Sequence, residues 1–136
     1  MSGIANAVRG EFELVLGGIT YAIRLSYAAI VAAEKACGRS IVELAIAASR
    51  NALSVSELAA VATEGIRAHG RETGDGGSLY AQVERIGELI VEEGIHLAMK
   101  TLGDALAEAV TGGVVAATGK PKATATTPGE ATPAAA

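Results

Sequence analysis

Tryptophan is absent, one phenylalanine and three tyrosines are the only aromatics, and just 11 of the 136 residues are Lys or Arg. Each shortage removes a class of function. Binding nucleic acid requires clustered cations to neutralise phosphates, and a net charge of -4 with scattered Lys and Arg argues against it. A single cysteine, Cys37, cannot build an internal disulfide framework and fits a reducing compartment, so the bacterial cytoplasm is the expected location. No apolar run approaches the roughly 18 residues of a membrane span, and residues 1–9 lack the apolar core of a secretory signal. The only histidines, His69 and His96, are not paired at metal-ligand spacing. Proline is confined to Pro121, Pro128 and Pro133.

What is present is half hydrophobic (50%), much of it alanine. Alanine favours helix but brings little area to bury, so one small core of modest stability is expected, in a chain that leans on a partner or on itself. The organising stretch is residues 11–25, where two short runs of alternating character flank Gly17-Gly18. A Gly-Gly pair readily adopts the positive φ angles of a two-residue hairpin turn. That turn sets Leu16 opposite Ile19, Leu14 opposite Tyr21 and Phe12 opposite Ile23, all on one face, because strand side chains alternate. Glu11 then stands across from Arg24 on the other face, an ion pair worth about 0.2–1 kcal/mol. A lone hairpin is marginal in water, so the apolar face must be covered by the remainder of the chain.

From residue 26 to residue 111 the chain reads as helix. Ser26 caps residues 27–37 and Gly38 ends them. Ser40 with Glu43, and Ser54 with Glu57, are two capping boxes, each opening a further helix. The first presents Ile41, Leu44, Ala45 and Ala48; the second runs to about Ala68 and presents Leu58, Val61, Ala62, Gly65 and Ile66. Residues 70–77 form a loop by composition, and Ser78 caps a fourth helix, residues 79–93, with Leu79, Val83, Ile86 and Ile90 on one face. Gly94 breaks it from a fifth, residues 95–111, which carries Ile95, Met99, Leu102, Leu106 and Val110. The expected fold class is therefore α+β, mostly α: an N-terminal β-hairpin packed on about five short helices. Residues 1–9 are a flexible lead-in, residues 10–112 the single domain, and the Ala/Thr/Pro-rich residues 113–136 a disordered tail.

The search for chemistry yields little. The glycine-rich residues 70–78 precede a helix but lack the Gly-Lys-Ser/Thr ending of a P-loop, and Glu72 and Asp75 would repel an anion. Cys37 lies by a helix C-terminus, where nothing depresses a thiol pKa, and reads as a small buried hydrophobe. No enzyme, cofactor or metal is expected, and no concave site should bring His69 or His96 next to Glu, Asp or Cys37. One feature stands out. Glu84, Glu88 and Glu92 recur every four residues and line one helix face, with Glu93 adding to the charge. Two readings stay open: a solvated face, the common fate of a charge run, or a docking surface for a basic partner helix.

The ordered set of short motifs along residues 8–112 resembles the tail-assembly chaperone family of gene transfer agents and related tailed phages, also labelled a phage tail tube protein family. The resemblance rests on Arg9-Gly10-Glu11, Leu16-Gly17-Gly18-Ile19-Thr20-Tyr21, Arg24-Leu25-Ser26 and Ala33-Glu34-Lys35-Ala36-Cys37-Gly38-Arg39-Ser40. It continues through Glu64-Gly65-Ile66-Arg67-Ala68, Ile86-Gly87-Glu88-Leu89-Ile90 and Glu93-Gly94-Ile95. It implies a small helical protein that holds the tape-measure protein soluble while tube subunits polymerise around it. The implied partners are that protein and, alternatively, the major tail protein, with self-association left open and neither nucleic acid nor membrane involved. A structural tail component, retained in the finished particle, is the competing reading.

The resemblance also implies a test of the tail. Members of such families are often made in two lengths by ribosomal frameshifting at a heptamer such as G-GGA-AAG, which reads Gly-Lys in frame. The chain's one Gly-Lys is Gly119-Lys120, just past the expected domain. A slippage site here requires a Thr118 codon ending in G followed by GGA-AAG. Any other codons in the gene make Gly119-Lys120 an ordinary dipeptide.

Overall fold

The computed structural model describes residues 10–112, so the expected lead-in, the tail and Gly119-Lys120 lie outside the described residues. Strands β1 (Glu11–Leu16) and β2 (Ile19–Arg24) pair antiparallel in the expected register, from Leu16 opposite Ile19 to Glu11 opposite Arg24. Gly17 and Gly18 both take positive φ (58° and 78°), as a two-residue turn between right-twisted strands requires. Burial of the apolar face is graded. Leu14, Leu16 and Ile23 are inaccessible, Phe12 and Tyr21 are half-buried, and Ile19 at the turn is 54% exposed.

Six helices succeed the hairpin among the described residues: α1 (Tyr27–Cys37), α2 (Ile41–Ser49), α3 (Val55–Thr73), α4 (Gly76–Leu79), α5 (Val83–Glu93) and α6 (Ile95–Thr111). The fold is α+β and mostly α. The caps of α1, α2 and α3 are those the sequence announces. Ser26 Oγ accepts from the Ala29 N–H, and Gly38 closes α1 in the left-handed region. Both capping boxes are made: Ser40 and Glu43 exchange bonds of 2.9 and 3.1 Å, and Ser54 and Glu57 bonds of 3.0 and 3.1 Å. A good N-cap contributes about 1 kcal/mol by pairing amides that the helix itself leaves unbonded.

Helix α3 is the common wall, packing against β2, α1, α4, α5 and α6, while α2 lies on α6. Leu44, Leu58, Val61, Ile66, Ile90, Leu102 and Leu106 are fully buried in the resulting core with the hairpin's Leu14, Leu16 and Ile23. Each such Leu or Ile contributes about 1.5–3 kcal/mol by leaving water. Val110, expected in the core, is 40% exposed near the end of α6.

Three expectations are corrected. First, α3 does not stop near Ala68 but runs to Thr73, so residues 70–73 are helix. Gly70 is a site of close packing there: a Cβ on it would strike the Leu79 amide nitrogen and come within 2.7 Å of Leu79 Cα. Second, Ser78 caps nothing. Asp75 caps the short α4, its Oδ2 accepting from the Ser78 N–H at 2.9 Å, and α5 begins only after Gln82, which makes no side-chain cap. Gly70 serves contact between backbones, whereas Gly74 ends α3 in the left-handed region at φ 79°. Third, Glu11 and Arg24 both turn to α3: Arg24 pairs with Glu72 at 3.5 Å, and Glu11 faces His69 at 3.5 Å.

The approach of β2 to α3 is closest at Gly65, where a Cβ would strike Ile23 Cγ2 and stand 3.5 Å from the Arg24 nitrogen. Gly65→Ala should therefore destabilise by about 1–3 kcal/mol through overpacking, read as a lower urea midpoint. Gly103→Ala should be neutral or stabilising, since its methyl would meet Ala48 Cβ at an ordinary 3.6 Å and alanine suits a helix interior. Phe12→Ala should cost less than the ~3–5 kcal/mol of a fully buried ring, because Phe12 is only half-buried. Equal midpoints for the two glycine variants would refute the close approach.

Candidate functional site

Helix α5 has two sharply different sides. Ile86, Leu89 and Ile90 are buried against the core, while Glu84, Glu88 and Glu92 are all exposed. Val91, 55% exposed, lies on the same flank, seven residues from Glu84 and three from Glu88. One partner within the stripe is Arg85, whose Nη1 is 3.4 Å from Glu88 Oε1, with both side chains more than half exposed. Such a surface pair is worth at most about 1 kcal/mol. Glu93 does not extend the stripe: its Oε2 accepts from the Gly17 N–H at 3.1 Å and ties the hairpin turn to the end of α5. Leu89 supports the same junction, since a Cβ on Gly17 would stand 2.9 Å from Leu89 Cδ2. Nothing in the sequence signals this contact, which joins residues 76 positions apart.

The other candidates fall elsewhere. His96 is exposed near the start of α6. His69 stands next to a carboxylate inside the fold. Its Nδ1 is 3.5 Å from Glu11 Oε2, outside hydrogen-bond geometry, and the two side chains are only 11% and 4% exposed. The pair is shut between β1 and α3. Cys37, at the end of α1, packs against the core edge half-buried. Burial pushes its thiol pKa up, Glu57 adds to the rise, and Arg39 partly opposes it. Among the described residues no group of three or more His, Cys, Asp or Glu is placed to hold a metal ion, and no helix is long and apolar enough to cross a membrane.

The described residues thus form a small helical domain with an N-terminal hairpin and an exposed acidic flank on α5. The family described as "Phage tail tube protein, GTA-gp10" matches residues 9–109, and the chain belongs to that family of phage tail proteins. No curated protein and no solved structure matches the chain.

The surroundings of Cys37 have a direct chemical consequence. With its pKa raised, less thiolate is present at neutral pH than for a free cysteine. Alkylation by iodoacetamide near pH 8, about where free thiols begin to ionise, should be slower for Cys37 than for a cysteine peptide, and should become as fast once the chain is unfolded in urea. Faster labelling of the folded protein would contradict the burial described.

Proposed function

We propose that this chain is a non-enzymatic tail-assembly chaperone that binds the tape-measure protein in the bacterial cytoplasm while the tail tube forms. The observation that supports the reading is the flank of α5, where Glu84, Glu88 and Glu92 stand one helical turn apart and exposed. A basic amphipathic helix laid along that flank gains three charge pairs and a contact with Val91. A long, helical, assembly-bound partner offers such segments repeatedly.

The second reading, a structural tail component retained in the particle, is favoured by the words of the family description itself, which names a tail tube protein. The major tail protein or a second copy of this chain would then be the neighbour. Particle content separates the two readings: a chaperone is missing from purified particles, and a tube component is present in stoichiometric amount.

The docking surface is tested by reversing it. Glu84→Lys, Glu88→Lys and Glu92→Lys together should leave the melting curve unchanged within a few °C, since all three side chains are exposed. Affinity for the tape-measure protein should fall by about 3-fold to 150-fold, the sum of three exposed pairs at roughly 0.2–1 kcal/mol each. Wild-type binding should also weaken as salt is raised, because exposed charges are screened beyond ~10 Å at 0.1 M. Full retention of the partner by the triple variant would return the stripe to a solvated face.

A further inference from the structure

The two-residue turn dictates which backbone groups bond across the hairpin. Leu16 and Ile19 flank the turn and exchange both their hydrogen bonds, so by alternation Leu14 with Tyr21 and Phe12 with Ile23 do the same. The N–H and C=O groups of Glu11, Glu13 and Val15 on β1, and of Thr20, Ala22 and Arg24 on β2, therefore point outward from the ladder. On β2 the outer edge is shut. Helix α3 comes close to it at Gly65, opposite the Arg24 nitrogen, and Ala22 is 1% exposed. On β1 the edge is open toward the turn. Glu13 is exposed and Val15 is 45% exposed. Among the described residues the sheet has no third strand, and no group bonds the outward backbone of Glu13 or Val15.

Helix α6 supplies the ground beside this edge. Leu97, Thr101 and Glu108 fall on one flank of α6, at i, i+4 and i+11. Glu108 locates that flank: its Oε1 is 3.5 Å from where a Cβ of Gly10 would stand, at the foot of β1. The start of α6 lies at the other end of the strand, because the adjoining Glu93 holds the turn. Leu97, 46% exposed, belongs to that turn end. The strip along β1 is thus apolar near the turn, through Val15 and Leu97, and acidic toward the foot, through Glu13 and Glu108.

We propose that the open edge of β1 takes up an extended segment of a partner protein as a third strand, one that is basic over one half and apolar over the other. Strand addition gives the outward N–H and C=O groups of Glu13 and Val15 their missing partners, and the side chains of the strip select the incoming sequence. A basic residue meets Glu13 or Glu108 and an apolar one meets Val15 or Leu97. Charge also decides against a second copy. A symmetric antiparallel pairing of two β1 edges centred on Glu13 sets it against itself, like charges directly opposite are destabilising, and a second copy brings no basic residue on β1 to meet Glu13 or Glu108. This surface is distinct from the α5 flank, and neither assignment depends on the other.

The test uses the full chain, labelled with ¹⁵N, and three short blocked peptides. One has lysines at one end and valines at the other, one has glutamates in place of those lysines, and one has the composition of the first with Lys and Val alternating. The first, the Lys/Val peptide, should slow amide hydrogen exchange at Glu13 and Val15 by about tenfold or more, and the other two should not. In Glu13→Lys the preference should pass to the Glu/Val peptide. Val15→Pro removes an outward N–H without touching the β1–β2 ladder, and should weaken binding of the Lys/Val peptide by about tenfold in a chemical-shift titration. Four results overturn the proposal. The first is no slowing at millimolar peptide, and the second is a charge preference unchanged in Glu13→Lys. The third is protection without peptide that grows with protein concentration, which assigns the edge to a second copy. The fourth is protection in dilute, peptide-free protein that disappears on deleting residues 2–8, which assigns it to the start of this chain.

Discussion

The contact between α3 and β2 is the constraint on which the rest depends. Two strands alone do not hold together in water, and this sheet has only two among the described residues. They are held because α3 presents Gly65 to Ile23, whose side chain packs where any larger residue on the helix would stand. Around that point Arg24 reaches Glu72 and Glu11 reaches His69, so polar groups on both strands end on the same helix. Because α3 also forms the wall for α1, α4, α5 and α6, fixing the hairpin against it fixes the hairpin against the whole domain.

Five carboxylates among the described residues bond backbone amides elsewhere in the fold, which sets them apart from the stripe on α5. Glu34, Glu43, Glu57, Asp75 and Glu93 each accept a hydrogen bond from a backbone N–H, at Ile41, Ser40, Ser54, Ser78 and Gly17 respectively. Glu57 goes further. One oxygen completes its capping box while the other meets Arg39 at 3.0 Å, joining the start of α3 to the connection between α1 and α2. These acids hold joints together. Glu84, Glu88 and Glu92 join no elements, Glu88 meeting only Arg85 on its own helix, and that makes the line a different kind of feature.

How much was legible depended on the range of the interaction. The hairpin register, the caps at Ser26, Ser40 and Ser54 and the break at Gly94 are written within a few neighbouring residues, and each stands in the structure where the sequence puts it. The extension of α3 to Thr73 and the existence of α4 were hidden, because the reason for Gly70 is Leu79, packed against it in space. Ser78 and Asp75 are both good capping residues, and only the fold decides that Asp75 takes the role. The links from Glu11 to His69 and from Glu93 to Gly17 join distant positions and leave no local trace. The acidic spacing on α5 was plain from sequence, and the family is carried by the motifs that the match over residues 9–109 contains.

Helix α5 is clamped at both ends. Just before it, the Ala81 carbonyl accepts from Arg67 Nε at 2.9 Å; at its last residue Glu93 grips the hairpin turn at 3.1 Å. Gly94, with φ 115° and ψ 123°, then ends α5 and begins α6 in a single residue, leaving no slack linker. The helix is accordingly a strut, and its three exposed carboxylates are graduations on a rigid ruler, about 6 Å apart at the rise of an α-helix. A segment that lies along such a ruler orders no backbone of this chain as it binds, so on this side only the three Glu side chains lose freedom and the backbone entropy lost falls on the arriving segment. The strut also measures: a segment whose cations recur at the same interval engages every mark, and one spaced differently engages only one at a time.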